Sequence, residues 1–207
     1  MSNALIIFIK NPELGKVKTR LASSIGDEKA LKVYKILLER TKEIVLRVNS
    51  KRFLYYSNSI QDSDGWGTAF FSKQIQDRGD LGERMKDAFK KAFLEGSSKV
   101  LIVGSDCYDL SSDIIELAFK SLEQKDTVIG PANDGGYYLL GMKGFIPEIF
   151  EDIEWSTSTV FDETVRKLKD LKQSVNILPE LIDIDELSDL QASGFDHTLI
   201  DLINTPH

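Results

Sequence analysis

Cysteine is nearly missing from this chain: Cys107 is the single one among 207 residues. Neither an internal disulfide framework nor a cysteine-built zinc site can be made from it. Histidine is almost as scarce. His197 and His207 lie in the C-terminal tail without spaced partners, which argues against a histidine-based metal or catalytic site. Positive charge is in deficit, with 26 Lys and Arg against 33 Asp and Glu, a formal net charge of −7 and a pI near 5.0. Extended nucleic-acid binding needs a net basic face, so no nucleic-acid partner is expected. Long apolar runs are absent as well. The longest clean one, Ala4 to Ile9, is too short to span a bilayer, and neither a basic stretch before it nor a small-residue cleavage site after it suggests a signal peptide. What is present is ordinary for a globular protein: 42% hydrophobic and 29% charged residues, in a length that suits one domain with a sizeable core. A single domain over 1–207, in a cytoplasmic enzyme, is the default expectation.

Apolar runs and helical patterns alternate along the chain. Ala4 to Ile9 reads as a strand buried on both faces, and it runs into the turn chemistry of Lys10-Asn11-Pro12-Glu13-Leu14-Gly15. Leu31, Tyr34, Leu37, Leu38, Ile44, Val45 and Val48 fall at helical spacing, with Asp27 as a candidate cap. Arg52 to Ser57 reads as a strand. A polar loop follows, and the stretch from Ser57 to Trp66 is expected to border the pocket. Gly79-Asp80-Leu81-Gly82 opens a helix that Gly96 should stop. Val100 to Val103 is a further buried strand, followed by a helix from Asp113 to Leu122. Strands are read at Thr127 to Gly130, broken by Pro131, and at Tyr137 to Leu140. A helix is read from Thr159 to Leu171, then extended segments at Val175 to Leu178 and Leu181 to Ile184, then short helical pieces. This order predicts an α/β fold with a mostly parallel sheet.

Several segments carry residues suited to chemistry. Lys16, Lys18 and Arg20 crowd the loop after the first strand, beside Gly15. Ligands of open α/β sheets bind at that carboxyl edge, and a loop of cations and free N–H groups suits a di- or triphosphate. The segment fits neither a Gly-x-x-x-x-Gly-Lys-Ser/Thr phosphate loop nor a Gly-x-Gly-x-x-Gly fingerprint, and an ordinary surface loop would have the same composition. Ser105-Asp106 follows the Val100 strand, so Asp106 either holds a divalent metal or caps the next turn. Cys107 reads as a small packed residue. In Asn133-Asp134-Gly135-Gly136 the glycines permit close approach to a ligand and Asp134 could meet hydroxyls or act as a base; a hairpin turn explains the pattern equally. Trp155 could stack on a ring or pack in the core, and Ser156 or Thr157 could cap the following helix. Alternation along a strand would place Asp183 and Asp185 on one face, where one could join the metal.

Taken in order, Gly15-Lys16-Val17-Lys18-Thr19-Arg20-Leu21, Gly79-Asp80-Leu81-Gly82-Glu83-Arg84-Met85, Gly104-Ser105-Asp106-Cys107, Gly130 to Tyr138, Trp155-Ser156-Thr157 and Asp183-Ile184-Asp185 form a set. With this set the chain resembles the bacterial DUF2064 family of the GT-A-like nucleotide-diphospho-sugar transferase superfamily. Its relatives include molybdenum-cofactor guanylyltransferases and phospholactate guanylyltransferases. The resemblance covers nearly the whole chain. It implies a Rossmann-like GT-A three-layer sandwich with one antiparallel strand late in the order. It further implies that Lys18 and Arg20 clamp phosphates, and that Asp106 holds Mg²⁺ or Mn²⁺ with Asp185 or Asp183 as a possible second ligand. Asp134, Gly135 and Gly136 would face the sugar or acceptor. Lys10 of the first loop and, within the same motifs, Gly15, Lys16, Thr19, Gly82, Arg84, Ser105, Trp155 and Ser156 are further candidates for nucleotide or substrate contact. The chain departs from the family pattern at Tyr108, where proline is usual, and at Glu186-Leu187, where Thr-Pro is usual. It has no Asp-x-Asp at Asp106, the nearest further acid being Asp109.

Three functions fit these residues. The first is a metal-dependent transferase with a nucleotide-sugar donor and a small-molecule acceptor, in which the acceptor attacks the anomeric carbon and a nucleoside diphosphate leaves. The second is nucleotidyl transfer from a nucleoside triphosphate, releasing pyrophosphate; three cations on the first loop favour it. The third is a nucleotide-binding module without turnover, which would need no metal.

Overall fold

The computed structural model describes residues 2–202, with the side chains of 201 and 202 left aside; His207 lies outside the described residues. Among the described residues, seven strands form one sheet in the order β3-β2-β1-β4-β6-β5-β7. They are β1 (Asn3–Ile9), β2 (Lys51–Tyr56), β3 (Ser72–Ile75), β4 (Lys99–Val103), β5 (Thr127–Pro131), β6 (Tyr137–Met142) and β7 (Val175–Ile177). β1 lies at the middle of the parallel half, paired with β2 on one side and β4 on the other. β6 runs antiparallel to both β4 and β5, and β7 is again parallel to β5.

The apolar run of β1 explains its central place. Leu5, Ile7 and Ile9 join the core beneath α2 (Asp27–Arg47) and α4 (Ser112–Ser121), together with Tyr34, Leu38, Val45 and Ile115. Ala4 and Ile6 point to the opposite face, where Met85, Ala88 and Phe89 of α3 (Leu81–Leu94) and Val165 and Leu168 of α5 (Val160–Asp170) pack. Period-two alternation therefore feeds two cores from one strand, which gives the three-layer sandwich. A smaller core joins Leu21 of α1 (Thr19–Ile25) to Val33 and Leu37 of α2 and Leu190 of α6 (Leu187–Ala192), with the short α7 (Thr198–Leu202) alongside.

Several local features differ from the sequence reading. α1 starts inside the segment read as a loop, so Thr19 and Arg20 stand on its first turn. Its only buried residue is Leu21, too little for an apolar stripe to show. β3 is an edge strand of Ser-Lys-Gln-Ile, with no alternation of hydrophobicity to reveal it. β5 takes in Pro131 at an irregular register step, where β6 tolerates a missing donor. Asp27 is the first residue of α2 rather than its cap, which is Gly26. Neither Ser156 nor Thr157 caps α5: that place falls to Thr159, whose side chain makes no cap bond. Among the described residues beyond β7, only Leu181 bridges the sheet, at Ala132, so Asp183 and Asp185 are not on a strand and strand alternation does not apply to them.

Candidate functional site

Lys18 organises the carboxyl edge of the sheet. It immediately precedes α1 with its backbone in the left-handed region, φ 49° and ψ 44°. That conformation is costly for a residue with a Cβ and is kept where surrounding contacts demand it. Here the contacts are internal. The side chain is 5% exposed, its Nζ lies 2.7 Å from Asp106 Oδ1, and it donates to Ile184 O at 2.5 Å. Asp106 sits three residues past the end of β4, and its carbonyl accepts from Ile184 N at 3.1 Å. One ammonium thus ties the exits of β1 and β4 to the 183–185 segment.

Arg20 is bound differently. Its NH1 pairs with Asp185 Oδ2 at 2.8 Å, but the side chain is 70% exposed and free to swing toward a ligand. It borders a cavity of about 360 Å³ with Ser23, Ser24, Glu186 and Ser188. Lys16 turns to Glu13, at 2.7 Å, and stays 70% exposed. The cations gathered at the site from the first loop are therefore two, Lys18 and Arg20, not three.

Charge in the cluster is unevenly balanced. Burial opposes the Lys18 charge, but Asp106 and then Asp183 outweigh it, so its pKa lies above the ordinary lysine value. Asp183 is pushed up to about 7 by burial, with the Asp106 charge next, against the pull of Lys18. Burial likewise pushes the Cys107 thiol well up, which disfavours a thiolate; its Sγ lies 3.8 Å from Asp183 Oδ1.

Two polar networks, neither read from the sequence, hold the loops around this cluster. Tyr34 OH accepts from Lys10 N at 2.8 Å, donates to Lys10 O at 3.0 Å, and lies 3.3 Å from Ser105 Oγ. The Asn11 side chain accepts from Asn58 N at 3.0 Å and donates to Ser59 O at 2.8 Å, joining the exits of β1 and β2. Farther along the edge, Gln76 Nε2 donates to Ile9 O at 3.1 Å and Tyr55 O at 3.3 Å. Its Oε1 accepts from Arg84 NH1 at 3.0 Å. A side chain fixed on β1 and β2 thereby holds Arg84 at a cavity of about 680 Å³, which Ser57, Asn58 and Arg78 also line. The 57–66 stretch borders it through Ser57 and Asn58.

The remaining candidates are placed as follows. Asp134 is exposed on the turn between β5 and β6 and accepts from Gly136 N at 2.8 Å, while its charge reaches Asp183. Asn133 of the same turn accepts from Asp183 N at 2.8 Å. At Gly135 the close approach is to Ser158: a Cβ would lie 2.1 Å from that carbonyl oxygen. At Gly82 it is to Trp155, whose half-buried ring covers the start of α3. Ser156 is exposed with φ 66°, and Gly15 turns the first loop with φ 72°.

The residues fit a hard divalent cation. Asp106, Asp183 and Asp185 offer carboxylate oxygens, which Mg²⁺ and Mn²⁺ prefer. Asp106 Oδ1 is buried and receives no well-aligned hydrogen bond, so the Lys18 ion pair alone compensates it. Desolvation, and after it the Asp106 charge, raises the half-buried Asp183 carboxyl, which marks a place short of positive charge. Among the described residues, though, no three acidic, histidine or cysteine side chains already stand in a metal-holding group; Lys18 stands beside Asp106 and Arg20 beside Asp185.

Comparison with known proteins bears on the family and the fold. The profile of the family described as "Uncharacterized protein conserved in bacteria (DUF2064)" matches residues 41–157, a span that includes Asp106, Asp134 and Trp155. A crystal structure described as "putative nucleotide-diphospho-sugar transferase from Desulfovibrio desulfuricans G20" is 35% identical, with a TM-score of 0.86 over 93% of this chain and 86% of that one. The inositol-1-phosphate CTP transferase of T. maritima is 12% identical, with a TM-score of 0.59 over 98% and 95% of the two chains. Rv0371C of Mycobacterium tuberculosis, in complex with manganese, is 8% identical with a TM-score of 0.57 over 93% and 97%. These last two share the fold alone. No curated protein matches the sequence. The chain belongs to the DUF2064 family, and its fold is that of the nucleotide-diphospho-sugar transferases.

Proposed function

We propose that the protein is a metal-dependent transferase acting on a nucleotide-sugar donor. The observation that carries this reading is the Lys18–Asp106 pair, 2.7 Å apart at the joined exits of β1 and β4. A buried cation and a carboxylate at that edge suit a polyphosphate bridged to the protein through a second cation. Lys18 and Arg20 bind diphosphate oxygens, whose charge grows as the glycosyl bond breaks. Cations held against that growing charge lower the barrier. Mg²⁺ or Mn²⁺ on Asp106, with Asp183 or Asp185, would act as a Lewis acid toward the leaving diphosphate. Asp134, exposed on the neighbouring turn, meets hydroxyls of the sugar or the acceptor. Lys18 and Arg20 are the cations of this loop that reach the 183–185 segment, and two cations suit a diphosphate.

A second reading, nucleotidyl transfer from a nucleoside triphosphate, is favoured by Arg78 and Arg84 in the 680 Å³ cavity on the same edge. They add positive charge that a third phosphate would use. Thermal-shift measurements separate the two. Nucleotide-sugars that raise the Tm more than triphosphates, and only with Mg²⁺ or Mn²⁺, support glycosyl transfer. Selective stabilisation by a triphosphate reverses the order. Binding without metal dependence or product release would instead mark a module without turnover. No helix among the described residues is long and apolar enough to cross a membrane.

A further inference from the structure

We infer that Lys18 keeps divalent metal out of the site until a polyphosphate arrives: its ammonium fills the cation position between Asp106 and the 183–185 segment, and the metal enters as phosphate oxygens draw Lys18 away. The inference rests on the transferase reading and adds an order of binding to it.

Three observations support it. Lys18 Nζ lies 2.7 Å from Asp106 Oδ1, the buried oxygen without an aligned hydrogen bond. A divalent ion would bind that oxygen at about 2.1 Å, against the ammonium, and like charges repel strongly where water is excluded. The ammonium is held in place at its far side by Ile184 O. The Lys18 backbone stands in the left-handed region, φ 49°, with its side chain turned into the cluster. The four-carbon stem can rotate to a new acceptor, and phosphate oxygens supply acceptors of full negative charge. Metal and polyphosphate therefore help each other to bind beyond simple chelation, and the coupling is reciprocal.

Mn²⁺ alone is the probe, followed by electron paramagnetic resonance on the full chain, with inorganic tripolyphosphate as a base-free partner. The wild type should leave Mn²⁺ free at concentrations where Lys18→Met binds one ion per chain, at least about tenfold tighter. The Tm of Lys18→Met should fall in EDTA and recover with Mn²⁺, because its carboxylates have lost their ammonium. The wild-type Tm should respond to Mn²⁺ only together with tripolyphosphate. If Lys18→Met does not fold, Lys18→Gln, which lacks the charge but keeps an N–H donor for Ile184 O, should show the same rescue. Wild-type protein binding Mn²⁺ alone as tightly as the variants overturns the exchange and leaves the transferase reading standing. So does weaker binding in the variants, which would make Lys18 a residue that orients Asp106. Absence of Mn²⁺ binding from every protein, with or without tripolyphosphate, overturns both.

Discussion

The Trp155 ring lies so close over Gly82 that a Cβ at that glycine would come within 2.2 Å of the indole Nε1 and 2.3 Å of Cε2. Gly82 is buried in the first turn of α3, and Trp155 stacks in turn on Phe150, with ring centroids 6.4 Å apart. The contact pins the 155–158 loop to the helix that carries Arg84. Gly82→Ala should therefore destabilise the fold by about 1–3 kcal/mol through overpacking, despite alanine's better helix propensity. Calorimetry should show a Tm loss of roughly 3–10 °C for a chain of this size. Trp155→Ala in the same chain should recover much of it, since the two sites share one contact.

The Gly82 contact also shows where the sequence is legible and where it is not. The Gly79-Asp80-Leu81-Gly82 opening correctly announces α3, because Asp80 forms a capping box with Glu83 and local chemistry suffices. It does not show that Gly82 makes room for an indole 73 residues away, a fact of tertiary packing. The alternating sheet core was readable for a similar reason. β1 and β4 are apolar after their first residues, Asn3 and Lys99, and buried on both faces. α1 and β3 were not, because each buries too little to impose a period. At the site, the sequence pointed to Lys18, Arg20 and Asp106, and the fold brings Lys18 to Asp106 and Arg20 to Asp185. That Lys16 turns to Glu13 is a matter of side-chain direction that composition cannot carry. Tyr34, Asn11 and Gln76 were invisible as loop anchors, since hydrogen bonds across 24 to 67 residues leave no local mark.

Arg20→Ala should separate binding from stability. The Arg20–Asp185 pair is largely exposed, and such pairs contribute less than about 1 kcal/mol. The Tm should stay within about 2 °C of the wild type. Polyphosphate binding should weaken roughly tenfold, the loss expected for one charge-assisted contact, and should respond less to added salt. Calorimetric titration at two ionic strengths checks both. Unchanged affinity would remove Arg20 from the phosphate site.

Acid stability should carry a mark from Asp126, far from the site. Its carboxylate accepts from Ser174 Oγ at 2.6 Å and Ser174 N at 2.9 Å, and Lys143 stands 3.1 Å away. The Ser174 bonds, then Lys143, lower its pKa from 3.8 to about 2. A carboxyl with a lowered folded pKa adds stability above its unfolded value and loses it as pH falls through the folded one. Asp126→Asn should thus be less stable than the wild type at neutral pH. The gap should narrow between about pH 4 and pH 2. Urea unfolding across that range provides the check, and a gap independent of pH would contradict the assignment.

The measurement that bears most directly on the site is nucleotide binding to Asp106→Asn, titrated with and without Mn²⁺. Asparagine keeps the shape of the side chain but removes the charge that a metal and Lys18 both require. An intact fold is expected by circular dichroism, with Mn²⁺-dependent binding of nucleotide-sugar or triphosphate weakened at least about 100-fold, the upper end of what losing even an outer-shell partner costs a metal site. Wild-type, Mn²⁺-dependent affinity in that variant would contradict the metal role of Asp106.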